Sequence, residues 1–189
     1  MGILDFFRRD EVVGSKVLVC GLAARFEEPV TTDSQIYRQF YPSTTTRLFN
    51  GAEESDRTLS HSYDILHLFC DVAPDGVLTH AGSGVFTGTG LLQKCCDLNV
   101  KLLWIASDNQ PDLYITGFKA RGKRINLVMT IDRDGSKFPA FLNKLLFRMY
   151  YGDTMPVAWA DLCAQGPHFV HPDTPSTIFF AGRGGVKLR

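Results

Sequence analysis

The sequence predicts an α/β protein: a mostly parallel sheet flanked by helices on both faces. Three observations carry this. Apolar runs of strand length occupy residues 65–71, 102–108 and 125–132, without the alternation that a one-sided sheet would require, so they suit strands covered on both faces. Stretches of helical periodicity are interspersed with the strand-like runs, most clearly along Phe138, Phe141, Leu142, Leu145, Leu146 and Met149. Strand-like and helix-like segments therefore alternate along the chain, the pattern of a parallel sheet with helical crossovers.

Taken in order, the first strand is read over residues 16–22, Lys-Val-Leu-Val-Cys-Gly-Leu. A helix capped by Thr32 or Asp33 is expected to run through Ile36, Tyr37 and Phe40 until Pro42 stops it. The β-branched residues of 44–49 predict a short strand, and 52–62 a loop or short helix. After the 65–71 strand, Pro74-Asp75-Gly76 marks a turn. The glycine-rich stretch 77–90 is expected to be irregular. Residues 91–98 read as helix, 102–108 as strand, 113–122 as an extended excursion, and 125–132 as strand. Asp134-Gly-Ser136 should cap the long helix, which Gly152 ends, and a second helix should span about 154–164 until Gly166-Pro167. A final β-rich run covers 176–181, followed by Gly182-Arg-Gly-Gly185 and a basic end.

At 189 residues the chain suits one domain with its own core. Lysine plus arginine equals aspartate plus glutamate, 20 against 20, so no global field gathers nucleic acid or anionic membrane. Nucleic acid is thus not an expected partner, and no apolar run is long enough to span a bilayer. The start, Met1-Gly-Ile-Leu-Asp-Phe-Phe-Arg-Arg, places its basic residues after a short apolar segment, against the order of a secretory signal. Phe6 stands where a myristoylation signal needs Ser or Thr. This segment is expected to form a short amphipathic turn or a surface anchor. The odd set of five cysteines, Cys20, Cys70, Cys95, Cys96 and Cys163, suggests free thiols and a reducing, cytoplasmic setting.

The order of elements in the second half carries a family resemblance. A buried strand leads to a long Phe-rich helix with Phe141 and Tyr150-Tyr151, then Gly152, then a small-residue helix beginning Met155-Pro-Val-Ala-Trp-Ala160, and last an apolar strand reaching Phe180-Ala-Gly182. This resembles the CHAT domain of the caspase-like, clan CD cysteine peptidases. Leu66-His-Leu-Phe-Cys-Asp-Val72 looks like the family strand whose end carries the catalytic histidine, and Leu102-Leu-Trp-Ile-Ala-Ser-Asp108 like the strand ending at the catalytic cysteine. The resemblance covers roughly residues 16–182 by order of elements. It implies a caspase-like three-layer sandwich over 1–189, with 1–15 as an N-terminal extension and 183–189 as a basic tail. Where the family has histidine then glycine, this chain has Asp71 and Val72; where it has cysteine, this chain has Asp108, or Ser107 one register earlier. Aspartate supplies neither a thiolate nor an imidazole base. The resemblance therefore implies a caspase-like fold whose catalytic histidine and cysteine are replaced.

Ligands of open α/β sheets gather at the carboxyl ends of the strands, so the aspartates ending the three runs are the first candidates. Asp71, Asp108 and Asp132 would either hold a hard cation such as magnesium, in a metal-assisted hydrolase, or cap local turns. His67 reads as a core histidine, and Cys70, three residues on, would face the opposite side of the strand. A relocated dyad could pair His80 with Cys95 or Cys96. Gly82-Ser-Gly84 and Gly88-Thr-Gly90 fit neither a dinucleotide fingerprint nor a P-loop. Cys163, His168 and His171 lack a local fourth ligand for structural zinc. Arg121-Gly-Lys-Arg124 is either a solvated turn or a docking point for an acidic partner. The leading expectation is a catalytically inactive caspase/CHAT-like interaction module without a cofactor, binding a protein partner or a second copy of itself. In the family such domains sit beside sensing modules in bacterial defence or signalling.

Overall fold

The computed structural model describes residues 11–13, 16–49, 52–80, 83–106, 112–113, 118, 123–130, 137–163, 177–181 and 186–188. Strand β1 is Glu11–Val13 and β2 is Val17–Gly21. A 3-10 turn over Ala24–Phe26 leads into helix α1, Glu27–Phe40. Then come β3 (Thr45–Leu48), α2 (Ala52–Thr58), β4 (Ile65–Phe69), β5 (Asp71–Val72), β6 (Val77–His80), β7 (Ser83–Thr87) and α3 (Gly88–Asp97). The second half holds β8 (Leu102–Ala106), β9 (Asn126–Thr130), α4 (Phe138–Tyr150), α5 (Met155–Cys163), β10 (Thr177–Ala181) and β11 (Val186–Leu188).

The main sheet has the order β10-β9-β8-β4-β2-β3. Five strands are parallel, and β10 closes one edge antiparallel to β9. Every residue of β2, β4, β8 and β9 is buried, which is why these strands are nearly continuous apolar runs. Successive side chains serve opposite layers. Val17, Val19, Ile65, Phe69, Trp104 and Val128 pack against α1, α4 and α5, whereas Leu18, Leu66, Leu68, Leu103, Ile105 and Leu127 pack with Leu91, Leu92 and Cys95 of α3. The helix α4 buries the predicted stripe Phe138, Phe141, Leu142, Leu145, Leu146 and Met149; each such side chain contributes about 1.5–3 kcal/mol of apolar burial. Gly152, at φ +115°, takes the left-handed conformation that lets the chain leave α4 for α5.

Several boundaries differ from the sequence reading. Helix α1 starts well before Thr32 and Asp33, which therefore lie inside it rather than capping it. Pro29 is compatible with that start, because the first turn has no intrahelical use for its missing N–H. The 65–71 run is broken. Strand β4 ends at Phe69, and Asp71 opens a second, antiparallel sheet, β5-β6-β7. The glycine-rich stretch 77–90 thus holds two strands and the start of α3 instead of an irregular loop. Gly76, at φ 78°, makes the turn between β5 and β6, where its N–H donates to Ala73 O (2.8 Å). Residues of the N-terminal extension and of the basic tail pair in parallel as β1 and β11. Most of the 113–122 excursion lies outside the described residues, as does the proposed cap Asp134-Gly-Ser136. No helix among the described residues is long and apolar enough to cross a membrane.

Candidate functional site

The parallel strands point their carboxyl ends to one edge. Hydrogen bonds continue past the strand labels and tie these ends together: Leu22 N–H donates to Phe69 O (2.9 Å), Phe49 N–H to Gly21 O (3.0 Å) and Cys70 N–H to Ala106 O (3.2 Å). At this edge the turn after β2 presents Arg25, and the chain after β4 presents Asp71. The two side chains form an ion pair. The Arg25 guanidinium also lies 4.7 Å over the Phe26 ring, which in turn packs 6.1 Å from Phe69. Arg25 is 62 % exposed and Asp71 38 %, so solvent screens the pair and its contribution to stability is small. Its chemical consequence is larger, because the Asp71 carboxylate is turned to a guanidinium. The Asp71 backbone, meanwhile, pairs with Thr79 in the small sheet.

Of the other sequence candidates, Asp108 and Asp132 lie outside the described residues, so the proposed carboxylate triad has one described member. Among the described residues no three His, Cys, Asp or Glu side chains group to hold a metal ion. His80 belongs to β6, where its backbone pairs with Ser83; its side chain is outside the description. Cys95 is buried on the inner face of α3, where burial, with a smaller push from Cys96, raises its thiol to about 12. Burial also raises the Cys70 and Cys20 thiols, the latter further through Cys70 and Cys95. These three thiols are therefore protonated and weakly nucleophilic near neutrality. Cys96 is half-buried. Gly88–Gly90 form the first turn of α3, capped by Thr87 Oγ1, which accepts from Gly90 N–H at 3.0 Å. Gly82, Arg121, His168 and His171 are outside the described residues, and Lys123 donates to the Gln93 side chain.

The sequence reading missed a buried titratable pair. Asp33 and His67 are both fully buried, with His67 Nε2 3.7 Å from Asp33 Oδ2. The imidazole is stacked between Phe69 (4.8 Å between centroids) and Trp104 (4.9 Å), its partner in register on β8, and meets the edge of Tyr37 (5.8 Å). The signal lay in α1, where Asp33 shares the buried stripe of Val30, Ser34, Ile36 and Tyr37. A carboxylate on an apolar stripe needs a partner. His67 was read correctly as a core histidine, and it faces the opposite layer from Cys70.

A parallel five-strand sheet with one antiparallel edge strand, helices on both faces and a small antiparallel sheet after the central strand β4 defines a caspase-like α/β fold. The crystal structure of drICE, a caspase, superposes on 97 % of this chain and 93 % of its own with a TM-score of 0.58, at 10 % sequence identity. At that identity the likeness is one of fold. No protein-family model matches the sequence, and no curated protein matches it.

Proposed function

We propose that this chain is a catalytically inactive, CHAT-like member of the caspase-like group, formed as one domain, that acts by binding a protein partner in a cytoplasmic defence or signalling system. The observation that carries the reading is the Arg25–Asp71 pair at the end of β4. The family resemblance expects an imidazole there, free to take a proton from a neighbouring thiol. Here the position holds a carboxylate engaged by a guanidinium. A carboxylate already engaged by a guanidinium does not offer the imidazole that the family uses as its base. The thiols whose burial is described on the α3 side, Cys20, Cys70 and Cys95, are held protonated, so they offer no ready nucleophile. A metal-assisted hydrolase remains the alternative. It would require Asp71 to leave Arg25 and join Asp108 and Asp132 around a cation.

The test is turnover together with cation binding. Fluorogenic peptides covering acidic, basic and apolar cleavage residues should yield no product above buffer, with or without magnesium or manganese. Calorimetry should show no magnesium binding that Asp71→Ala abolishes. Turnover lost on substitution of a cysteine would refute the inactive reading, and Asp71-dependent magnesium binding would replace it with the hydrolase.

A further inference from the structure

Among the described residues, strand β3 is the outer strand of the main sheet on the side away from β10. Its inner side bonds to β2, and just past its end Phe49 N–H donates to Gly21 O. The N–H and C=O of one strand residue share a side, and sides alternate along the strand. Thr46 and Leu48 therefore turn their backbone groups outward, as does Thr44 just before the strand. Arginines from two elements reach these outward groups. Arg38 of α1 donates to Thr44 O (3.5 Å) and to Thr46 Oγ1 (2.7 Å), and Arg47 donates to Thr46 O (3.3 Å). Both arginines are exposed, and all their polar contacts among the described residues are to threonine oxygens rather than carboxylates. The edge thus combines outward N–H groups at Thr46 and Leu48 with two cations that have no carboxylate partner among the described residues.

We propose that the outer edge of β3 docks an extended acidic segment of a partner protein, which adds to the sheet as a further strand. Its carbonyls accept from the Thr46 and Leu48 N–H groups, and its carboxylates replace threonine oxygens on Arg38 and Arg47. Strand addition to an open edge is a common mode of peptide recognition, with main-chain bonds giving affinity and side chains selecting the sequence. Charge-assisted bonds from arginine to carboxylate are stronger than those to neutral oxygens. The inference rests on the interaction reading above and gives it a partner chemistry.

The experiment is fluorescence anisotropy of a labelled peptide, Val-Glu-Glu-Val-Glu-Glu-Val, with the full chain. Saturable binding is expected. It should weaken on the order of tenfold or more for Arg38→Glu or Arg47→Glu, fade with added salt, and disappear when alternate peptide amides are N-methylated at unchanged charge. The N-methyl arm uses the unmutated chain and so does not depend on the variants folding. Absence of saturable binding overturns the proposal. So does equal binding of the N-methylated peptide, because attraction would then be charge alone and the arginines would serve to block the edge. Peptide turnover by the chain would refute the interaction reading separately, whatever happens at β3.

Discussion

Replacing Asp33 by asparagine keeps the shape of the side chain and removes its charge. Asp33 and His67 are fully buried and 3.7 Å apart. Removing one member of a buried pair strands the other, which costs about 3–5 kcal/mol. Asp33→Asn should therefore lose several kcal/mol, and His67→Phe should lose a similar amount although it preserves the stack on Phe69 and Trp104. The double replacement Asp33→Leu with His67→Phe should recover most of the loss, because an apolar pair pays no desolvation. Urea unfolding at pH 7, followed by circular dichroism and by tryptophan emission, reads all four proteins, with the slope checked for constancy. An Asp33→Asn protein within about 0.5 kcal/mol of the parent, a difference ordinary for surface changes, would show that the pair carries no buried charge and would refute the reasoning.

Gly21→Ala should destabilise by about 1–3 kcal/mol, as overpacking does. The added Cβ would lie 2.8 Å from Phe26 Cβ, 3.1 Å from Val30 Cγ2 and 3.2 Å from Leu48 Cδ2, pressing on the turn that presents Arg25; an unchanged urea midpoint would contradict it. Alkaline pH should unfold the protein in reductant. Burial raises the Cys20, Cys70 and Cys95 thiols, and it raises the Tyr37 and Tyr41 hydroxyls with smaller pushes from neighbouring anions. Between the ordinary value of 9.0 and about 12 for Cys95, the unfolded chain binds fewer protons than the native one. Stability is therefore full below pH 9 and falls as pH rises, by up to about 1.4 kcal/mol per pH unit for each such group. A urea midpoint flat to pH 11 would contradict this.

The main strands were legible because burial on both faces leaves an uninterrupted apolar signature, and α4 because its stripe repeats at helical spacing. Helix α1 was started too late because Asp33 looks like a cap in sequence, and only the packing of α1 against β4 shows it facing inward. The β5-β6-β7 sheet was missed because glycines at 76, 82, 84 and 88 read as breaks, although Val77, Leu78 and Thr79 favour strand. Asp71 was read as the last residue of the 65–71 strand, whereas β4 ends at Phe69. It follows a strand end and opens a new strand, and its Arg25 partner comes from a turn that sequence spacing could not bring beside it. Asp33 and His67 meet only through tertiary packing, so no local pattern joins them.

The central claim is that this caspase-like fold lacks the family's nucleophile and base. Intact-mass and peptide-mapping spectrometry after exposure to peptidyl acyloxymethyl ketones, with acidic, basic and apolar recognition residues, tests it most directly. The account predicts an unmodified chain at pH 7.5 under conditions that label an active caspase fully. One stoichiometric adduct, mapped to Cys95, Cys96 or another cysteine and lost when the protein is unfolded beforehand, would contradict it.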